Sequence, residues 1–194
     1  MTPTPTDLDG YEVVTAVCGG IAAYKVAGLV SKLIQRGAGV SVAMTDAAQR
    51  FITPLTFEAL TARRVFTGLW DAEGCYDPQH LRLTESADVF VVAPATANMI
   101  GKIAHGIADD LVSTMVMSTD CPVLLAPAAN TRMWENPVVQ ENVQALVKRG
   151  FRIVPPGEGW LACRTRGAGR MAEPDQIAEQ VIEVLKKTEP KNRR

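Results

Sequence analysis

The chain has 194 residues, 47% hydrophobic and 21% charged, which suits one domain with a sizeable core. A net charge of -1, with Lys and Arg scattered, excludes an electrostatic nucleic-acid partner. Four cysteines without a CxxC pair and only two histidines exclude a zinc site, and no apolar run is long enough to span a membrane.

Residues 1–10 are polar and rich in Pro and Thr, with no apolar segment of a secretion signal. They read as a frayed tail on a reduced, cytoplasmic protein, with a second tail at 188–194 and one domain at 11–187. Tyr11–Cys18 reads as a buried strand. Ile21–Arg36 carries Val26, Leu29, Val30 and Leu33 at helical spacing and stops at Gly37. Val40–Met44 is a second strand. Asp88–Ala93 is a third, apolar on both faces as a central parallel strand requires. Val123–Ala126 is a fourth, Pro137–Arg149 an amphipathic helix, Arg152–Val154 a short strand and Pro174–Lys187 a closing helix. The alternation predicts a three-layer α/β fold, Rossmann-like or flavodoxin-like, with a mainly parallel sheet.

Ligands of such folds bind beyond the carboxyl ends of the strands, so chemistry is sought there. Cys18-Gly19-Gly20-Ile21 joins a strand to a helix; it is either a plain tight turn or an anion cradle at a helix N-terminus. Thr45 either caps the next helix or meets a phosphate. In the loop Pro94–Asn98, small residues leave room for a flat ring, and Thr96 and Asn98 supply hydrogen bonds. Asp109 and Asp110 read as a helix start, because adjacent helical residues point in different directions and make poor paired catalysts. In Pro127–Trp134, Asn130 is a recognition candidate and Trp134 a lid or core residue. Trp160–Met171 is Gly- and Arg-rich, outside the periodic pattern, and reads as a flexible loop. It sets Cys163 near three arginines, which predicts a depressed thiol pKa, whereas Cys18 and Cys121 read as inert buried thiols.

Five segments match in order: GGIAAYK (19–25), MTDAAQRFITPLTFEAL (44–60), APATANMIGKIAHGIADDL (93–111), PAANTRMW (127–134) and ACRTRGAGRMAEP (162–174). Together they resemble the homo-oligomeric flavin-containing cysteine decarboxylases, from about Tyr11 to Pro174. The bacterial branch that acts on phosphopantothenoylcysteine, yielding 4′-phosphopantetheine for coenzyme A, is the most similar. The resemblance implies bound FMN, held by Gly19, Gly20 and Ile21, by Thr45, by Ala95, Thr96, Ala97 and Asn98, and by Ala128, with the phosphate near Gly20 and Thr45. It implies His80 as the active-site histidine beside a neighbouring subunit's flavin. Asn130 would grip the substrate carboxylate, flanked by Ala129 and Met133, and Cys163 would finish the reaction. It also implies trimers, or dodecamers built of trimers, with the active site at a subunit interface.

The chemistry is coherent. Direct loss of CO₂ from a cysteinyl carboxylate leaves an unstabilised carbanion. Oxidising the thiol carbon first creates a thioaldehyde, an electron sink, and FMN takes that hydride and later returns it. Two positions depart from the family pattern. Ala129 stands where Met is usual, and Arg164-Thr165 where Gly and an acidic residue follow the loop cysteine. These departures predict a substrate loop retuned toward the phosphate end of the substrate. The sequence lacks the synthetase domain of bifunctional relatives, which implies a separate synthetase. Rival readings are a peptidyl-cysteine decarboxylase of peptide maturation and an inactive FMN-binding regulatory subunit; the motifs of flavin prenyltransferases, which share the fold, differ from PAANTRMW.

Overall fold

The structure is a computed structural model that describes residues 7–69 and 79–191, with only the backbone of residues 79–81. Among the described residues the order is β1 (Glu12–Val17), α1 (Ala23–Gln35), β2 (Gly39–Met44), α2 (Asp46–Gln49), α3 (Pro54–Thr61), α4 (Gln79–Ser86), β3 (Val89–Ala95), α5 (Ala97–His105) and α6 (Leu111–Ser118). The chain continues through β4 (Val123–Pro127), α7 (Thr131–Trp134), α8 (Pro137–Lys148), β5 (Arg152–Ile153), β6 (Gly157–Trp160), β7 (Arg166–Arg170) and α9 (Pro174–Leu185).

The main sheet has the order β2-β1-β3-β4-β5, and every pairing in it is parallel. This is the flavodoxin-like order, in which the direction of winding reverses between β1 and β3. Period-two alternation divides the core. Val13 and Val17 of β1 join one cluster with Leu29 and Leu33 of α1, Phe57 of α3 and Val181 and Leu185 of α9. Val14 and Ala16 point the other way and pack with Ile100 of α5, Met115 of α6 and Leu146 of α8. β3 is buried along its whole length, as its two-sided apolar sequence requires. Leu29 and Leu33 are fully buried; each contributes roughly 1.5–3 kcal/mol of transfer free energy.

Both expected tails are partly built into the fold. Leu8 is fully buried, its N–H donates to the Arg36 carbonyl at 3.0 Å, and Asp7 pairs with Arg36. At the other end, the Tyr11 hydroxyl donates to the Thr188 carbonyl at 2.6 Å. Asp88, nearly buried, accepts the N–H groups of Glu12 and Lys191, each at 2.7 Å. Composition marks these segments as polar but does not reveal such anchors. Residues 1–6 and 192–194 lie outside the described residues.

Candidate functional site: a cleft at the carboxyl ends of β1 to β4

A cleft of about 1260 Å³ opens where the loops after β1, β2, β3 and β4 meet the β6–β7 ribbon. Gly19 is sterically required there: a Cβ on it would lie 2.4 Å from the Cβ of Ala47, so its absence lets the β1 loop pack on α2. A Cβ on Gly20 would meet nothing nearer than 3.9 Å. α1 starts beside these glycines with no side-chain cap and no acidic residue in its first turn. The Ala23 and Lys25 N–H groups turn back onto the carbonyls of Gly20 and Ala22, at 2.9 and 3.0 Å, so what the helix offers the cleft is its positive dipole end with no carboxylate in the first turn.

Thr45 resolves as a cap: its Oγ1 accepts the Ala48 N–H at 3.2 Å. Thr96 caps α5 likewise, accepting from Met99 at 3.2 Å, and Asn130 caps α7 through Oδ1, accepting from Met133 at 2.9 Å. Caps of this kind occupy the oxygen and leave the hydroxyl hydrogen, or the Asn NH₂, available to a ligand.

The cleft gathers most of the expected residues. Gly19, Gly20, Ile21 and Thr45 line one side. Thr96, Ala97 and Asn98 line the next, and Ala128, Ala129, Asn130 and Met133 the one beyond, with Cys163 on the ribbon. Ala95 does not belong with them. β3 runs two residues past the apolar run, so Ala95 is fully buried in the core and only its carbonyl is used, accepting from Ala128. His80 lies in the second position of α4, but its side chain is outside the described residues, as is Cys75. Trp134 packs against the α5–α6–α8 core and is not a lid. His105 is structural, bonded to the Gly101 carbonyl through Nδ1.

The Gly/Arg-rich segment is not a flexible loop. It forms the antiparallel ribbon β6–β7, with Gly159 opposite Gly167 and Trp160 opposite Arg166. Its glycines are set by contact. A Cβ on Gly167 would lie 2.3 Å from the Thr131 Oγ1, and one on Gly169, at φ +112°, would lie 2.4 Å from the Ala129 carbonyl. The ribbon is tied to the Asn130 loop by Ala129 N–H to the Gly169 carbonyl at 2.9 Å and Thr131 Oγ1 to the Ala168 carbonyl at 2.9 Å.

Cys163 stands exposed at the turn of this ribbon, and its pKa is lowered, as expected, but by a different group. The Thr165 hydroxyl, 3.0 Å from Sγ, favours the thiolate; no arginine takes part. Arg164, beside Cys163 in the turn, has φ +62° and is exposed. Burial pushes the Cys18 thiol up to about 12 and also raises that of Cys121, as inert core thiols should behave.

Other cleft residues escaped sequence reasoning. Lys25, its side chain 9% exposed, pairs with Glu173 at 2.9 Å, and the same carboxylate oxygen takes Arg170 at 2.7 Å. Lys102 pairs with both Asp109 and Asp110. For Lys102 the signal was its position one turn after Asn98 on α5; Lys25 sits in the first turn of α1, just after the Gly19-Gly20 turn. Asp110 is, as expected, a helix start, capping α6 through a reciprocal bond with Ser113. Among the described residues no cluster of His, Cys, Asp and Glu is suited to a metal.

A family profile described as Flavoprotein matches residues 1–186. The coenzyme A biosynthesis bifunctional protein CoaBC of Bacillus subtilis (strain 168) is 44% identical over 172 residues, covering 89% of this chain and 42% of that protein. Its Escherichia coli (strain K12) counterpart is 42% identical over 175 residues, covering 90% and 43%. The chain thus spans less than half the length of these curated relatives. Among solved structures, a PPC decarboxylase Cys-to-Ser mutant complexed with pantothenoylaminoethenethiol superposes with a TM-score of 0.80 at 30% identity, covering 92% of this chain and 99% of that one. The FMN-dependent cysteine decarboxylase SpaF gives 0.76 at 32% identity, covering 90% and 97%. The five-stranded parallel sheet, the cleft at its carboxyl edge and a profile match over nearly every residue agree: the chain belongs to the Flavoprotein family.

Proposed function

We propose that this chain is an FMN-dependent decarboxylase of 4′-phosphopantothenoylcysteine, producing 4′-phosphopantetheine. One observation carries the reading: the loop holding Asn130 and the ribbon holding Cys163 are hydrogen-bonded to each other, and both line a cleft that the N-terminus of α1 also lines. The cleft exceeds the roughly 300–1,000 Å³ of an ordinary ligand pocket, so it has room for a cofactor and a substrate together.

The residues present fit FMN. The positive dipole end of α1 beside Gly20, with no acidic residue in its first turn, and the Thr45 hydroxyl suit its phosphate. Ala97 and Ala128 offer small side chains to a flat ring, and Thr96 and Asn98 can hydrogen-bond its edge. When bound, FMN accepts a hydride from the carbon bearing the thiol and returns it at the end.

The chain's own groups do the rest. Asn130 keeps its NH₂ for the substrate carboxylate while Oδ1 caps α7. His80 acts as base or orients the carboxylate near neutral pH. The thioaldehyde accepts the electron pair of the breaking C–C bond as CO₂ leaves, giving an enethiol. Cys163, acidified by Thr165, delivers the proton that readies this product for the returning hydride. The aminoethenethiol bound to the solved relative is an enethiol of this kind.

The working form is an oligomer, a trimer or a dodecamer of trimers, in the cytoplasm. Phe51 and Leu55, exposed in the single chain, supply apolar area for a subunit contact. Free thiols at Cys18, Cys121 and Cys163 suit a reducing compartment. Among the described residues no helix is long and apolar enough to cross a membrane.

The test is incubation of the purified protein with phosphopantothenoylcysteine while CO₂ and phosphopantetheine are followed by mass spectrometry. CO₂ release is expected, and Cys163→Ser should still release it but accumulate the enethiol. A yellow protein with no turnover sinks the decarboxylase claim and spares the flavin claim. Turnover of a C-terminal peptidyl-cysteine in preference would favour the peptide-maturation reading, which the likeness to SpaF keeps as the competitor.

A further inference from the structure

α5 presents Asn98 and, one turn later, Lys102 to the cleft. The Lys102 ammonium lies 2.6 Å from Asp109 Oδ1 and 2.6 Å from Asp110 Oδ2. All three groups line the cleft, and Asp109 and Asp110 belong to the α5–α6 connection. Two carboxylates face one ammonium, so this stretch of wall carries one net negative charge at neutral pH. Burial opposes ionisation of Asp110, but Lys102 and the Ser113 N–H and hydroxyl outweigh it and hold the carboxyl below its usual range. The opposite balance raises Lys102: burial works against its charge, and the Asp109 and Asp110 contacts prevail.

Cys18 lines the same cavity. Its thiol is pushed up first by burial and then by Asp110, with Lys102 opposing as the weaker influence. The cluster therefore adds one net negative charge to this stretch of wall, next to Thr96 and Asn98, while Lys25 and Arg170 line the cleft on other elements.

We propose that Lys102, Asp109 and Asp110 form a charge-setting element of the cleft wall, which holds the reduction potential of bound FMN below the value a neutral wall would give, with Lys102 limiting the effect. A negative charge near a redox group disfavours electron uptake, and the low dielectric of a closed cleft enlarges the influence. A lowered potential favours return of the hydride to the enethiol at the expense of its removal from the substrate. The cluster touches no reacting atom, so its members tune rather than catalyse. The proposal rests on the FMN reading above.

The experiment measures the midpoint potential of the FMN-loaded protein by equilibration with indicator dyes. Asp109→Asn keeps an oxygen for Lys102 while removing a charge, and should raise the potential. Lys102→Met leaves two carboxylates uncompensated and should lower it; Lys102→Arg should restore the wild-type value. If Lys102→Met does not fold, Asp109→Asn, at a largely exposed residue, decides alone. FMN retained with a potential unmoved or lowered in Asp109→Asn overturns the tuning role and leaves the flavin site standing. Wild-type protein that retains no FMN overturns the flavin reading and this inference with it.

Discussion

The N–H of Ala129 donates to the carbonyl of Gly169 at 2.9 Å, joining the loop of Asn130 to the ribbon of Cys163. The approach leaves no room for a side chain at Gly169, whose φ of +112° also excludes most residues. Gly169→Ala should therefore push the ribbon off the loop. A loss of about 1–3 kcal/mol in unfolding free energy is expected from the strained backbone and the contact. Product formation should fall more than FMN affinity, because most of the flavin-holding residues, Gly19 to Ile21, Thr45 and Thr96 to Asn98, lie on the loops after β1, β2 and β3. Denaturant unfolding, FMN titration and turnover on one preparation test this; wild-type turnover would show that the ribbon needs no such register.

Asn130 has two duties that substitutions can separate. Asn130→Ala removes the α7 cap, at a cost of about 0.5–2 kcal/mol, together with the amide. Asn130→Asp keeps a capping oxygen but sets a negative charge against the substrate carboxylate. It should retain near-native stability and lose substrate binding, with KM raised at least as far as in Asn130→Ala. Comparable KM values for Asn130→Asp and wild type would remove Asn130 from carboxylate recognition.

Thr165 sets the acidity of Cys163, and the direction is fixed by the bond. The hydroxyl donates to the thiolate and lowers the thiol pKa, so Thr165→Val should raise it. Alkylation of Cys163 by iodoacetamide, which needs thiolate, should then require higher pH. The proton-delivering form is the thiol, present below its pKa and lost as pH rises through it. The alkaline limb of product formation should accordingly move upward in Thr165→Val. Coincident alkylation profiles for the two proteins would count against this.

Arg164 occupies a left-handed backbone position, where a side chain costs about 1–2 kcal/mol. Glycine would relieve that but loses about 0.5–1 kcal/mol through chain entropy. Arg164→Gly should thus change stability by no more than about 1 kcal/mol. With the residue outside the cleft lining, KM and kcat should stay within about twofold, less than the shift of a single lost hydrogen bond. A large KM rise would restore the idea that this charge retunes the substrate loop.

The parallel sheet was legible because its information is periodic. Apolar runs of strand length, each followed by a glycine- or helix-start signal, gave β1 through β4 and the helices α1, α8 and α9 to within a few residues. The Asn130 loop was legible through its motif. The ribbon was not: its glycines have poor strand propensity and owe their conformation to Thr131 and Ala129, which lie some 40 residues earlier in sequence. The arginines near Cys163 in sequence were misleading for a related reason: the turn between β6 and β7, closed by Leu161 N–H to Thr165 carbonyl and Arg164 N–H to Leu161 carbonyl, leaves the Thr165 hydroxyl as the thiol's partner. The end of β3 was less legible, because apolar periodicity fixes a strand's existence better than its end, and Ala95 closes the strand rather than opening the loop.

Asp88 gathers backbone N–H groups from Glu12 and Lys191, and Pro190 packs against Gly10 at the pole remote from the cleft. The polypeptide is therefore almost a closed ring, with its seam on the quiet side of the molecule. New ends cut elsewhere, with residues near 10 and 190 bridged by a short linker, would leave the cleft loops undisturbed. A circularly permuted chain of this kind should assemble the same cavity, and any cargo attached at the seam would hang clear of the substrate's entrance.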